Sequence, residues 1–312
     1  MMRVRLFIGL VVLTLVLVAC GGGGAQATPT PPPSPTPPPA LGSAENPLVM
    51  SFVPSGDTQE IIAGGEAIEQ MLEEKTGLQI ESNVATSYAA VVEAMCAGNA
   101  HIGWLNTFGY LLANEKCDVE PILATVRFGR PFYTGQIIVR ADAGIESFED
   151  LKGKVMCWVD PLSTSGYIIP RVVLQANGID PDADFAKTVE AGSHNNVVIA
   201  VYNGECDAGA TYVDARNAVE DEYPDVKEKV HVLAESPPIP NDNVSVSPDM
   251  PADLREKLQA ALLEIAGTEE GKEALQTVYS IEGLEPIDDS FYDAFRAQLD
   301  AAGVSVEELG GE

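Results

Sequence analysis

The chain has 312 residues, with 18 Lys and Arg against 47 Asp and Glu and a formal net charge of -29. That balance leaves no basic patch to displace counterions from a phosphate backbone, which excludes nucleic acid as a partner. It also excludes direct adsorption on anionic lipid, and its main consequence is solubility. The three histidines are scattered and no Cys pair has C-x-x-C spacing. No metal and no cofactor is therefore expected.

In chain order, "MMRVR" is a short basic segment and "LFIGLVVLTLVLVA" an apolar one, with small Ala19 before Cys20. Residues 1–19 have the layout of a secretory signal peptide, too short and wrongly flanked for a comfortable spanning helix. "LVAC" resembles the lipobox of bacterial lipoproteins. That resemblance implies cleavage before Cys20, acylation of its thiol, and anchoring to the membrane on the periplasmic or outer face. From Cys20 to residue 44 the chain is first Gly-rich and then Pro-rich. Such a segment buries no core and reads as a flexible, then extended, tether. The folded body is expected to start near Glu45.

The body alternates short apolar runs with helical patterns. Strands are expected at 48–54 and 78–85, a helix at 66–77 closed by Gly77, and a helix at 88–97. Next come a strand at 100–105, a helix at 108–115 and a strand at 121–126; the rhythm resumes at 154–160. Alternation of this kind predicts a mainly parallel α/β architecture. "VVEAMCAGNAHIG" (91–103) also matches "VVIAVYNGECDAG" (197–209) without a gap, at an offset of 106 residues. At the same offset Tyr88 falls opposite His194 and Asn106 opposite Tyr212. The repeat predicts two similar α/β lobes, 45–138 plus 232–312 and 139–231, joined by a two-strand hinge around a ligand cleft. Ligands collect at the carboxyl ends of strands in open α/β sheets and at domain junctions.

Four cysteines lie in the body, where an exported chain meets an oxidising environment. Pairing within lobes leaves a hinge free, which predicts Cys96–Cys117 and Cys157–Cys206. His101 and His231 fall within or beside strand-like runs and read as structural; Trp104 reads as core.

The densest chemistry is "DPLSTSGY" (160–167), followed by the apolar run "IIPRVVL". A strand ends near Val159 and a helix starts after the cluster, with Pro170 tolerated near a first turn. Ser163, Thr164 and Ser165 therefore sit at a helix start, where unpaired N–H groups carry partial positive charge. An N-cap needs only one hydroxyl; three in a row predict an anion site built from neutral donors.

The stretches "EEKTGLQI", "SYAAVVEAMCAGNAHIGWLN", "DPLSTSGYIIP" and "EAGSHNNVVIAVYNGECDAGA" resemble the phosphate, phosphite and phosphonate-binding proteins of ABC transporters. These are type II periplasmic binding proteins. The resemblance implies a monomeric, extracytoplasmic binding protein that closes on a small oxyanion and delivers it to a permease and its ATPase. It carries ligand contacts onto Ser163, Thr164, Ser165, the amide of Gly166, Tyr88 and His194. Ser55, Asn106, Thr107, Tyr133, Tyr212 and Asp214 end strands or lie in loops facing the same cleft. Leu105 stands where some relatives carry a tyrosine, so the substituent on phosphorus stays open. Another small anion, a vitamin precursor or a sensor role would use the same fold. An enzyme is not expected: the serines lack a G-x-S-x-G elbow.

Overall fold

The computed structural model describes residues 39–307. The expected signal peptide, Cys20 and most of the expected tether lie outside the described residues. The fold begins before Glu45. Leu41 packs against the core, and the Gly42 carbonyl accepts the amide of Gln79 at 2.8 Å. The tether reading reached to residue 44 because composition alone hid the apolar anchor at Leu41.

The strands are β1 (Leu48–Phe52), β2 (Ile80–Val84), β3 (Ile102–Leu105), β4 (Glu120–Val126), β5 (Phe132–Arg140), β6 (Val155–Trp158), β7 (Lys187–Glu190), β8 (Ala208–Tyr212), β9 (Val230–Pro240), β10 (Asn243–Val246) and β11 (Gly283–Pro286). The helices are α1 (Thr58–Thr76), α2 (Tyr88–Cys96), α3 (Thr107–Cys117), α4 (Ile169–Ala176), α5 (His194–Asn203), α6 (Val226–Lys229), α7 (Ala252–Ala266), α8 (Glu269–Tyr279) and α9 (Asp293–Ala301). They build two sheets, ordered β11-β4-β10-β3-β1-β2 and β7-β6-β8-β5-β9.

The internal repeat is visible in the topology. In each sheet three parallel strands, β2-β1-β3 or β7-β6-β8, are flanked by one antiparallel strand, β10 or β5. Helices α2 and α5 occupy the same place in the two units, and both begin behind a serine cap, Ser87 or Ser193. The sheets are mixed and not mainly parallel, because each lobe receives a return strand from the other side of the crossing.

Helix α1 begins eight residues earlier than the periodicity suggests, at Thr58 rather than residue 66. Asp57 caps it by accepting the amides of Gln59 and Glu60 at 2.8 and 3.1 Å. The early turns were obscured by the pair Gly64–Gly65, which weakens a helical reading. The glycines serve packing: a Cβ on Gly64 would lie 2.8 Å from the Val278 amide nitrogen of α8. Behind this contact Ile61, Ile68 and Leu72 are fully buried, each stabilising by roughly 1.5–3 kcal/mol.

Within 39–307 the chain crosses between sheets twice, at 127–131 and at 241–242. The first crossing is a tight turn: Arg127 and Arg130 exchange backbone hydrogen bonds at 3.1 and 3.2 Å, with Phe128 and Gly129 at φ 55 and 69. Two positive-φ residues between paired backbones make a primed hairpin turn, in which Phe128 carries strain that Gly129 does not. The second crossing is tied to the first, since Asn241 donates its amide to the Pro131 carbonyl at 2.9 Å.

Strands β5 and β9 pair from Phe132↔Pro240 to Arg140↔Val230, wholly within the second sheet. The expected boundaries at 138/139 and 231/232 therefore cut through two paired strands. Short turns make the crossings, and the second lobe extends over 132–240.

The disulfides Cys96–Cys117 and Cys157–Cys206 form as expected, with Cα–Cα distances of 5.4 and 5.9 Å. The first joins the last residues of α2 and α3; the second ties β6 to the turn before β8. His101 is structural, its Nδ1 accepting the Val49 amide at 2.9 Å. Trp104 is core, stacked on Phe52 at 5.4 Å between centroids. Replacing Cys157 and Cys206 by Ser is expected to lower unfolding free energy by about 2–4 kcal/mol through the loop released in the unfolded chain. Denaturant titration checks this, and an unchanged midpoint would show that the bridge does not constrain the unfolded state.

Candidate functional site

Strand β6 ends at Trp158, and Asp160 organises the chain that follows. Its carboxylate accepts the Leu162 amide at 2.8 Å and its carbonyl the Ser163 amide at 2.9 Å. A single π-helical turn over Thr164–Ile168 then leads into α4, with the Ile168 amide bonded to the Ser163 carbonyl at 3.0 Å. Such turns recur at functional sites. Gly166 is required by contact: a Cβ there would lie 2.3 Å from Val159 Cγ2.

The hydroxyls of this turn are constrained donors. Thr164 Oγ1 accepts Asn106 Nδ2 at 3.0 Å and the Phe108 amide at 2.9 Å. A hydroxyl has two acceptor lone pairs and one proton, so only its proton is left to give. Ser163 Oγ accepts the Gly166 amide at 3.2 Å. Asn106 spends its other amide hydrogen on the Leu162 carbonyl at 2.7 Å. The bonds from Asn106 and Phe108, with the backbone N–H of His194 donating to the Ser55 carbonyl at 3.0 Å, run between the two lobes.

The turn lines a cavity of about 290 Å³ between the sheets. Of the residues expected in the site, Ser163, Thr164, Ser165, Tyr88, His194, Ser55, Asn106, Tyr133 and Tyr212 all face it. Residues at the starts of α1, α2 and α5, with Asn106 capping α3, stand on its wall, so four helix dipoles turn their positive ends inward. Three expected residues stand elsewhere. Thr107 turns away and donates its hydroxyl to the Pro240 carbonyl at 2.6 Å, fastening α3 to the second crossing. The Gly166 amide is engaged by Ser163 Oγ, and its packing role lies against Val159. Asp214 lines a neighbouring cavity.

The cavity holds a cation that was not expected. Arg127, on the first crossing, is buried on its wall and lies 3.6 Å from Asp242 on the second crossing. Arg127 Nε and Asp242 Oδ1 are buried and find no hydrogen-bond partner among the described residues. The same holds for Tyr88 Oη and Asn106 Oδ1. Buried polar atoms are almost always paired, so four such atoms around one cavity mark it as built for a polar guest. The residues 276–280 at the end of α8 complete the wall. Only "RFGR", a basic pair around a glycine at a strand end, hinted at Arg127; nothing local hinted at Asp242 or α8.

Burial sets the protonation of the wall. It pushes Tyr88 well above the ordinary tyrosine range, helped by the nearby Asp160 and Asp242 carboxylates, so Tyr88 stays a neutral donor. Burial likewise raises Tyr133 and Tyr212. It raises Asp242 too, opposed by the Arg127 guanidinium. His194 is pushed down to about 3 by burial and by Arg127. Its Nδ1 lies 2.8 Å from Thr211 Oγ1 and its ring meets Tyr212 edge-on at 4.8 Å. The outer rim carries the exposed carboxylates of Asp57, Glu60 and Asp221, while the Asp242 carboxylate lies inside, against Arg127.

The family model described as "ABC transporter, phosphonate, periplasmic substrate-binding protein" matches residues 50–292. The phosphate-import protein PhnD of Mycolicibacterium smegmatis is 27% identical over 275 residues, covering 82% of this chain and 86% of the relative. The phosphonates-binding periplasmic protein of Escherichia coli is 25% identical over 245 residues, covering 77% and 69%. Among solved structures, a binding-protein component of an ABC phosphonate transporter from Pseudomonas aeruginosa superposes with a TM-score of 0.74 at 22% identity, over 84% of this chain and 96% of that one. PhnD1 from Prochlorococcus marinus in complex with methylphosphonate also gives 0.74, at 14% identity over 82% and 98%. These likenesses establish the type II periplasmic binding fold. The chain is a binding protein and not an enzyme, and it belongs to the periplasmic substrate-binding proteins of phosphonate ABC transporters.

Proposed function

We propose that the cavity captures a phosphorus oxyanion, held between the Ser163–Ser165 turn and Arg127, for delivery to a membrane permease. One observation carries this reading: Thr164 Oγ1 has only its proton left to donate, on the same cavity wall where buried Arg127 Nε lacks a partner. Charge-assisted hydrogen bonds to an oxyanion are the strong ones. They gain further strength where water is excluded. Tyr88 and neutral His194 add donors from the symmetry-related starts of α2 and α5. With Thr211 donating to Nδ1, His194 offers Nε2–H without becoming charged. The relatives' names span phosphate and phosphonates, which supports a tetrahedral phosphorus oxyanion as the ligand.

The protein acts as a monomer in this reading, tethered through an acylated Cys20. Mass spectrometry of protein from the membrane fraction is expected to find a diacylglyceryl-modified N-terminal Cys20. An unmodified chain retaining Met1 would remove the anchor from the proposal.

Thr164→Ala with Ser165→Ala is expected to weaken methylphosphonate or phosphate binding at least tenfold by calorimetry, at about 1.4 kcal/mol per decade. Arg127→Met is expected to weaken it similarly and also to destabilise the fold by stranding Asp242. Adding Asp242→Asn restores stability but not affinity. Affinity that follows stability back would reject Arg127 as a ligand contact.

The His194 pKa links stability to pH. Its folded pKa of about 3 lies below the ordinary value of 6.5. The unfolded chain therefore takes up a proton that the folded chain refuses. The contribution is complete above pH 6.5 and is lost as pH falls toward about 3, at roughly 1.4 kcal/mol per pH unit. Against His194→Gln, the wild type is expected to lose melting temperature faster between pH 6.5 and pH 4. Parallel curves would show His194 to be protonated in the folded protein.

A further inference from the structure

Both crossings are gripped from outside the oxyanion cavity by one stretch of chain, residues 282–292. It follows α8, passes through β11 and ends in the helical turn Asp289–Tyr292 ahead of α9. On the first crossing, Glu282 Oε2 accepts the Gly129 amide at 2.8 Å. Where that crossing enters the second sheet, Phe291 packs on Phe132, the first residue of β5, with ring centroids 5.4 Å apart. On the second crossing, Tyr292 Oη donates to the Asn241 carbonyl at 3.1 Å and accepts Asn243 Nδ2 at 3.0 Å. Glu282, Phe291 and Tyr292 stand outside the wall of the oxyanion cavity.

The second crossing is fastened to the first lobe at three successive carbonyls. Pro240 takes the Thr107 hydroxyl at 2.6 Å, Asn241 the Tyr292 hydroxyl, and Asp242 the Thr125 amide at 2.8 Å. The Thr125 bond continues the β4–β10 pairing, so it needs no side chain. Tyr292 does its part fully buried, its ring against Tyr110 of α3 at 4.7 Å between centroids. Asp289 accepts the Tyr110 hydroxyl and binds Arg296, which reaches Asn114 of α3 at 3.0 Å. The stretch is therefore seated on α3, the helix whose start bonds Thr164 across the cleft through Asn106 and the Phe108 amide.

We propose that residues 282–292 are a strap that holds the two crossings in the closed setting of the lobes, with Phe291 and Tyr292 as positioning residues for binding. In this structure the lobes are bonded to each other at Thr164 and at the Ser55 carbonyl while all three strap contacts are made. Opening turns the second lobe about 127–131 and 241–242. The strap's partners, Gly129, Phe132 and the Asn241 carbonyl, lie on those segments or next to them, so the motion strains these contacts. One hydrogen bond of ordinary net strength moves such an equilibrium by roughly two- to tenfold. Apparent affinity scales with the fraction of chains in the binding-competent setting, so a loosened strap weakens every ligand by one common factor. Loss of a direct ligand contact has no reason to act so evenly.

A cysteine pair across the mouth, Gly56→Cys with Asn195→Cys, reports closure without ligand, because a Cβ on Gly56 would lie 4.0 Å from Asn195 Oδ1 of the other lobe. In that background, oxidative cross-linking of the ligand-free full chain, followed by non-reducing peptide mapping, is expected to slow at least about threefold with Tyr292→Phe and with Phe291→Ala. Without the cysteine pair, calorimetry is expected to find phosphate and methylphosphonate weakened by one shared factor in each variant. An unchanged cross-linking rate in one variant removes that residue from the strap, and in both it overturns the proposal. Affinity losses that differ between the two ligands by more than about threefold would also overturn it. The calorimetric arm rests on the oxyanion reading and the cross-linking arm does not. If neither ligand binds wild type, the oxyanion reading fails while the cross-linking rate still decides the strap. Tyr292→Phe keeps the buried ring, and a matching near-ultraviolet spectrum for each variant separates slower closing from lost folding.

Discussion

The architecture depends on how two crossing segments hold opposite charges together. Arg127 and Asp242 sit on the two short connections between the sheets, 3.6 Å apart, with side chains only 9% and 17% exposed. Taking both ions out of water is costly, and their attraction offsets that cost only with good geometry and further hydrogen bonds. Those further bonds are incomplete: Nε on one side and Oδ1 on the other find no partner among the described residues. The pair is thus incompletely hydrogen-bonded at the place where the lobes join, as is the neighbouring Asn241 side chain. On the proposed reading an oxyanion completes the hydrogen bonding of the guanidinium, so ligand capture and lobe closure act on the same side chains.

Around that pair the two lobes contribute matched parts. Each supplies a β-α-β unit with a serine-capped helix whose first residue, Tyr88 or His194, reaches the cavity. The match is not a perfect symmetry. The second lobe adds the π-helical turn with its three adjacent hydroxyls, and the first lobe answers with Asn106 and the start of α3. Thr164 is where the two meet, since it accepts two donors from the first lobe. On the proposed reading, a residue that bridges the lobes and gives its proton to the ligand ties affinity to closure. The exposed carboxylates of Asp57, Glu60 and Asp221 stand at the rim of this interior.

Much of this was legible in the sequence because it is written locally and twice. The offset of 106 residues between Tyr88 and His194 places α2 on α5 and β3 on β8. Pairing cysteines within lobes followed from the same repeat. The hydroxyl cluster announced an anion site because three adjacent side chains exceed what one helix cap needs. What was not legible depends on distant segments meeting. Arg127 lies 36 residues before Ser163 and Asp242 lies 79 after it, and only the crossings bring them to one wall. The end of α8 joins that wall because Gly64 lets α1 and α8 pack closely, a long-range fact. The lobe boundaries were misplaced for a related reason. An apolar strand that pairs inside a sheet looks the same as one that crosses between sheets, and the true crossings are short turns without a hydrophobic signature.

The most direct measurement is a crystal structure of the chain grown with methylphosphonate. The phosphonate oxygens are expected within hydrogen-bond distance, about 2.7–3.2 Å, of the Thr164 and Ser165 hydroxyls and of the Arg127 guanidinium, with the lobes closed. A phosphonate bound away from the Ser163–Ser165 turn, or held there with Arg127 still facing only Asp242, would contradict the central claim.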